Sequence, residues 1–96
     1  IKGWKKHNRL VLNLVVAVGA IQFVIYDDRL TSSTKGEFFD VTIGPEVNYV
    51  RLIIQPGLWL AFCGKEEVNV LLNIISEEHD PTEANNTSLE TISYAW

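Results

Sequence analysis

Short apolar segments rich in Val, Ile, Leu and aromatic residues recur along this chain, each closed by Gly, Pro, Asp, Asn or Ser, and none carries a helical period. That spacing is the pattern of an all-β sandwich or barrel. It predicts six strands, at 9–16, 21–27, 37–43, 49–55, 58–63 and 68–75. Turn residues separate them at Val18 and Gly19, along the polar stretch 27–36, at Gly44 and Pro45, at Pro56 and Gly57, and over 64–67. Only 81–84 reads as a helical turn, with Asp80 as its N-cap and Pro81 in the first position. The stretch 85–96 reads as an extended tail.

Alternate residues of a strand point to opposite faces, so parity separates a core face from the other. Leu10, Leu12, Leu14 and Val16 share one face; Lys5, His7, Arg9, Val11 and Asn13 share the other if the strand starts as early as Lys5. Near residue 50, Val50, Leu52 and Ile54 oppose Tyr49, Arg51, Ile53 and Gln55. In the last strand Asn69 and Asn73 share parity with Leu71, opposite Val68, Val70, Leu72 and Ile74. The mixed faces are either solvated or line a cavity. A semi-polar cavity fits better, because solvated faces would carry more Lys and Glu than Asn, Gln and Arg.

The 96 residues make a single domain, 1–96, with one modest core. The run from Leu10 to Ile25 is broken by Asn13, Gly19 and Gln22, short of the ~20 residues of a membrane helix, so no membrane partner is expected. A lone Cys63 and the absence of a secretory signal point to the cytoplasm. No methionine occurs, even at position 1, so a further N-terminal segment is expected. The net charge of −4 argues against nucleic acid as a partner. Charge is unevenly spread: residues 1–9 hold Lys2, Lys5, Lys6 and Arg9 with no acid, and 77–90 hold Glu77, Glu78, Asp80, Glu83 and Glu90 with no Lys or Arg, so the two ends could attract.

Four stretches in order resemble the dTDP-4-dehydrorhamnose 3,5-epimerase family of cupins. "IKGWKKH" resembles the family's RGLH segment. "GAIQFVIYDDRLTSSTKG" resembles GxxFDVxVDxRxxSPTxG, with Gly19, Phe23 or Val24, Asp27, Arg29, Ser33, Thr34 and Gly36 in register. "RLIIQPGLWLAF" is similar to LWIPPGFAHGF, and "LLNIISEEHDPTEA" to the stretch ending in YxPxxE, with Pro81 and Glu83 aligned. A shorter, epimerase-like branch is closer still, and "TISYAW" resembles its C-terminal signature. The resemblance implies a cupin-type jelly-roll barrel of antiparallel strands, a homodimer, and sugar-nucleotide chemistry in polysaccharide biosynthesis.

In that family a histidine of RGLH, held by an aspartate, acts as base and a strand tyrosine acts as acid, while a lysine and arginines bind the enolate oxygen and the diphosphate. Here the histidine position falls on Lys5 and the tyrosine position on Leu72 or Asn73. His7, on the Lys5 face, is the candidate base, and Tyr26 the candidate acid. Lys5, Arg9, Asn13, Arg51 and Asn73 are the candidate binding residues for a nucleotide sugar or another anionic small molecule. With no HxH pair, and Leu60 where the family motif has its histidine, neither a metal nor a cofactor is expected. Trp4, Trp59 and Trp96 could stack on a base or sugar, but in so small a domain they are assigned to packing. Two functions stay open: a metal-free epimerase or isomerase, and a non-catalytic cupin that binds a sugar or anionic metabolite.

Overall fold

The structure is a computed structural model that describes residues 3–74 and 83–96. Eight strands are present among these residues: β1 (Trp4–His7), β2 (Leu12–Val18), β3 (Ile21–Asp27), β4 (Phe38–Ile43), β5 (Leu52–Ile54), β6 (Leu58–Gly64), β7 (Val70–Asn73) and β8 (Ala84–Thr87). They form two antiparallel sheets packed face to face, a cupin-like all-β architecture. Sheet A runs β4-β3-β6-β1-β8 and sheet B runs β5-β2-β7. No helix among the described residues is long and apolar enough to cross a membrane.

All six predicted strands are present with adjusted ends, and β1 and β8 are additional. The predicted strand 9–16 begins only at Leu12. His7 closes β1 in sheet A, residues 8–11 cross over, and β2 continues in sheet B. Ala84 opens β8 rather than ending a helical turn, while Asp80 and Pro81 lie outside the described residues. Within the expected tail, Leu89–Thr91 form a single 3-10 turn.

The core lies between the sheets. Leu12, Leu14 and Val16 of β2 meet Ile21, Phe23 and Ile25 of β3, with Ile43, Ile54 and Leu60 around them. Sheet A is covered on its outward face too, where Ile92 packs on Trp4, Val24 and Ala61, flanked by Leu89, Tyr94 and Trp96. Burial on both faces explains why β3 reads as an almost unbroken apolar run, whereas β2, buried on one face, alternates.

The parity reading holds for β2 and β5, whose Leu and Ile residues enter the core. It inverts for β7: directly opposed residues share a face, and Leu71 lies opposite Val16 and Asn73 opposite Leu14. Val70, Leu72 and Ile74 therefore stay exposed on the outside of sheet B, together with Val11 and Ile53. The cause is cross-strand register, because β7 is placed by its ladder to β2 and not by its own most apolar side.

The Val18–Gly19 turn tests the backbone requirement. Gly19 adopts a positive φ, and a Cβ there would run into the Val68 carbonyl oxygen. Gly36 also has a positive φ, but open space surrounds it. Gly36→Ala should cost about 1 kcal/mol from backbone strain alone, and Gly19→Ala at least ~3 kcal/mol. Urea unfolding of the two variants checks the ranking, and equal losses would show that contact with Val68 is not what restricts position 19.

Candidate functional site

Glu83 is the clasp of one end of the molecule. It is 6% exposed and accepts hydrogen bonds at all three of its oxygens. The main-chain N–H and the side-chain amide of Asn8 donate to its carbonyl, at 2.9 and 2.8 Å. Oε2 accepts from the N–H groups of Arg9 at 2.7 Å and Leu10 at 3.0 Å. Oε1 lies 2.5 Å from His7 Nδ1. A carboxylate only accepts, so Nδ1 carries the hydrogen and Nε2 is the ring nitrogen left for chemistry. Burial alone would push the Glu83 carboxyl up, but the Leu10 N–H, the His7 ring and the Arg9 N–H together draw it down to about 2.

A second buried carboxylate lies across the sheet. Asp27, 4% exposed, receives the fork of Arg29 through Nε and a terminal nitrogen, each at 3.0 Å, together with the Arg29 N–H and the hydroxyls of Ser32 and Thr34. The Arg29 guanidinium foremost, against the opposing effect of burial, and then the two hydroxyls hold this carboxyl far below the ordinary carboxylate range.

Strand register joins the two clusters. Lys5 pairs with Leu60 and Lys6 with Trp59, which puts His7 beside Leu58, and Leu58 pairs with Asp27 on the other side. His7 and Asp27 thus stand two strands apart, about 10 Å, on one inward-facing row. Gly57, just before Leu58, ties them further. Its N–H donates to the His7 carbonyl at 2.7 Å, and a Cβ on it would come within 3.1 Å of Arg29 Cδ. A cavity of about 520 Å³ opens beside this row, bounded by Asp27, Arg29, Leu58, Leu52 and Phe39. Both carboxylates are buried and each holds one basic partner: Arg29 lines this cavity together with Glu37, and His7 stands further along the row, outside the cavity wall.

The residues singled out in the sequence divide among these surroundings. Lys5 and His7 share the inward face of sheet A, with Lys5 exposed. Arg9 does not continue their strand face: it lies in the crossover, where its main-chain N–H serves Glu83. Asn13 and Asn73 meet in sheet B, Asn73 Oδ1 accepting from the Asn13 N–H at 3.4 Å, while Asn13 Nδ2 donates to the Ile74 carbonyl. Arg51 is exposed just ahead of β5.

Tyr26 falls on the opposite face of sheet A from His7, its ring 4.6 Å from that of Phe38, so it cannot hand a proton to a ligand held at His7. The parity of β3 dictates this, because Ile25 and Asp27 point inward on either side of it. Tyr94 is also outward, bonded to Asp40, and Tyr49 lies in the β4–β5 connection. Lys6, which the sequence left unassigned, pairs with Asp28 at 3.4 Å and sits over Trp59. Glu83, Asp27 and Arg29 are the site residues that sequence reasoning missed; all three stood in the quoted motifs, without a role. His79 lies outside the described residues.

No protein-family model matches the chain, and no curated protein matches it. Among solved structures, the chain is similar to the crystal structure of a dTDP sugar isomerase from Desulfovibrio desulfuricans G20, with a TM-score of 0.86 and 32% sequence identity over 93% of this chain. The chain spans 57% of that protein's length. The fold is therefore that of a sugar isomerase-like cupin.

The lowered carboxyl of Glu83 makes a pH prediction. A carboxyl that is more acidic folded than unfolded adds stability above its ordinary value of 4.5, and this stability is lost as pH falls toward about 2. In Glu83→Gln, acid titration of the folded state by circular dichroism should lose much of its pH dependence in that window. At neutral pH the variant should be weaker by about 1–3 kcal/mol, since the Arg9 and Leu10 N–H groups lose a charged acceptor. An unchanged acid profile would show that Glu83 is not held as described.

Proposed function

We propose that the chain is a keto-sugar nucleotide isomerase or epimerase unit in which His7 carries the proton. The observation behind this reading is the His7–Glu83 pair standing in one row with the Asp27-held fork of Arg29, in a fold like that of a dTDP sugar isomerase. Nε2 of His7 would take a proton from the carbon next to the sugar ketone, and Glu83 would hold the ring in its tautomer and balance the imidazolium. Lys5, two residues back on the same strand face and so about 7 Å away, would neutralise the enolate oxygen. Arg29, fixed in orientation by Asp27, offers its remaining N–H groups to the diphosphate.

Proton return from His7 to the carbon it came from restores the substrate; isomerisation delivers that proton, on the same side, to the former carbonyl carbon, while the neighbouring hydroxyl gives up its hydrogen to become the new ketone and the old carbonyl oxygen keeps one as a hydroxyl. Inversion at carbon needs a second donor on the other side, a part that Tyr26 does not supply from its face of the sheet. One observation favours the binding-only alternative: Lys5 occupies the position where the related epimerases carry their histidine.

Incubation with dTDP-4-keto-6-deoxyglucose in heavy water separates the readings. Deuterium should enter the carbon next to the ketone, and the exchange should fall by roughly 10²-fold or more in His7→Ala. Saturable binding without exchange would establish the non-catalytic reading, and no binding of any dTDP-sugar would defeat both. Arg29→Lys keeps the charge but loses the fork; calorimetry should show about tenfold weaker dTDP-sugar binding. Unchanged affinity would remove Arg29 from the site.

A further inference from the structure

We infer that the outward face of sheet A carries a second ligand site, a trough suited to a neutral saccharide. Successive strand pairings align Phe38, Tyr26, Trp59, Lys6 and Asn85 in one row across all five strands. The neighbouring row, which contains Val24, Ala61 and Trp4, is sealed by Ile92, Tyr94 and Trp96. Phe38, Tyr26, Trp59 and Asn85 of the first row instead floor an open trough of about 950 Å³, walled by Thr91 and Ser93. That volume is at the upper end of the roughly 300–1,000 Å³ typical of small-molecule pockets.

The chemistry of the lining selects the ligand class. Phe38 is 40% exposed in spite of its contact with Tyr26, so ring surface is presented to the trough, and the C–H face of a pyranose packs well on such a surface. Asp28, on the wall, accepts from Trp59 Nε1 at 2.8 Å and from Lys6 Nζ at 3.4 Å, while the same ammonium lies 4.7 Å above the Trp59 ring. The two charges cancel locally, so the trough does not favour an anion, unlike the row at His7. The carboxylate keeps lone pairs for sugar hydroxyls, and the amide of Asn85, which shares the outward face with Lys6, together with the hydroxyls of Thr91 and Ser93 can both donate and accept. Aromatic floor, balanced charge and a rim of neutral hydrogen-bonding groups together fit a polyhydroxylated, uncharged ring.

The site lies on the other side of the sheet from His7 and does not depend on the reaction proposed there. Titration of ¹⁵N-labelled protein with methyl glucoside, methyl galactoside, maltotriose and cellotriose tests it, with thymidine as a flat, stacking control. At least one saccharide should shift the Trp59 indole N–H and the amides of 85–87 and 91–93 saturably, equally in wild type and His7→Ala. Phe38→Ala should weaken that response about tenfold. Ser93→Arg should abolish it by filling the trough from an exposed rim position, which leaves the core untouched if Phe38→Ala proves unstable. The proposal is overturned if no saccharide moves these signals, if the response disappears with His7→Ala, if Ser93→Arg leaves it intact, or if thymidine alone produces it.

Discussion

The pairing of β6 with β3 is the constraint on which the rest depends. The ladder runs without a break from Ile21 opposite Gly64 to Asp27 opposite Leu58, and β1 and β4 attach to its two sides. Once that register is set, every side chain in sheet A is committed to a face. Asp27, Leu58 and His7 turn inward on one row, while Tyr26, Trp59 and Lys6 turn outward on the next. A slip of one residue would exchange the two sets, burying the aromatic floor and exposing the carboxylates.

Electrostatics follows a common design in both inward clusters. A carboxylate without water around it is costly unless its lone pairs are filled. Glu83 and Asp27 meet this requirement with several donors each, among them the less buried side chains of His7 and Arg29. The buried acid thus sets the direction of an exposed base or cation. The basic side chain is thereby held in one orientation before anything else meets it.

What the sequence revealed and what it concealed have physical reasons. Strands with clear alternation or long apolar runs were legible, because a buried face must be apolar. β1 and β8 were not, since "WKKH" and "ANNT" carry too little apolar surface to announce a strand; they are held as strands by their ladders, to each other and, for β1, to β6. His7 and Lys5 were correctly put on one face. The face of Tyr26 is not legible in the sequence, because β3 is apolar on both sides and such a strand does not show which parity meets the core. The basic start and the acidic end do come together, but through Glu83 on His7 and neighbouring backbone, while Lys6 finds Asp28. Glu83 could not be recognised as an orienting group from local pattern, because its partner lies 76 residues away.

That separation also orders events during synthesis. His7 leaves the ribosome first of these groups, and β6, its neighbour on one side, follows about fifty residues later. Translation at roughly 5–20 residues per second puts about 4–15 s between His7 and Glu83. Until it does, the imidazole has neither its tautomer nor its direction fixed, and the Arg9 and Leu10 N–H groups have no carboxylate to cap them. The nascent chain can assemble its core around β2, β3 and β6 before the Glu83 clasp can form. The clasp closes last, beside the strand that completes the sheet.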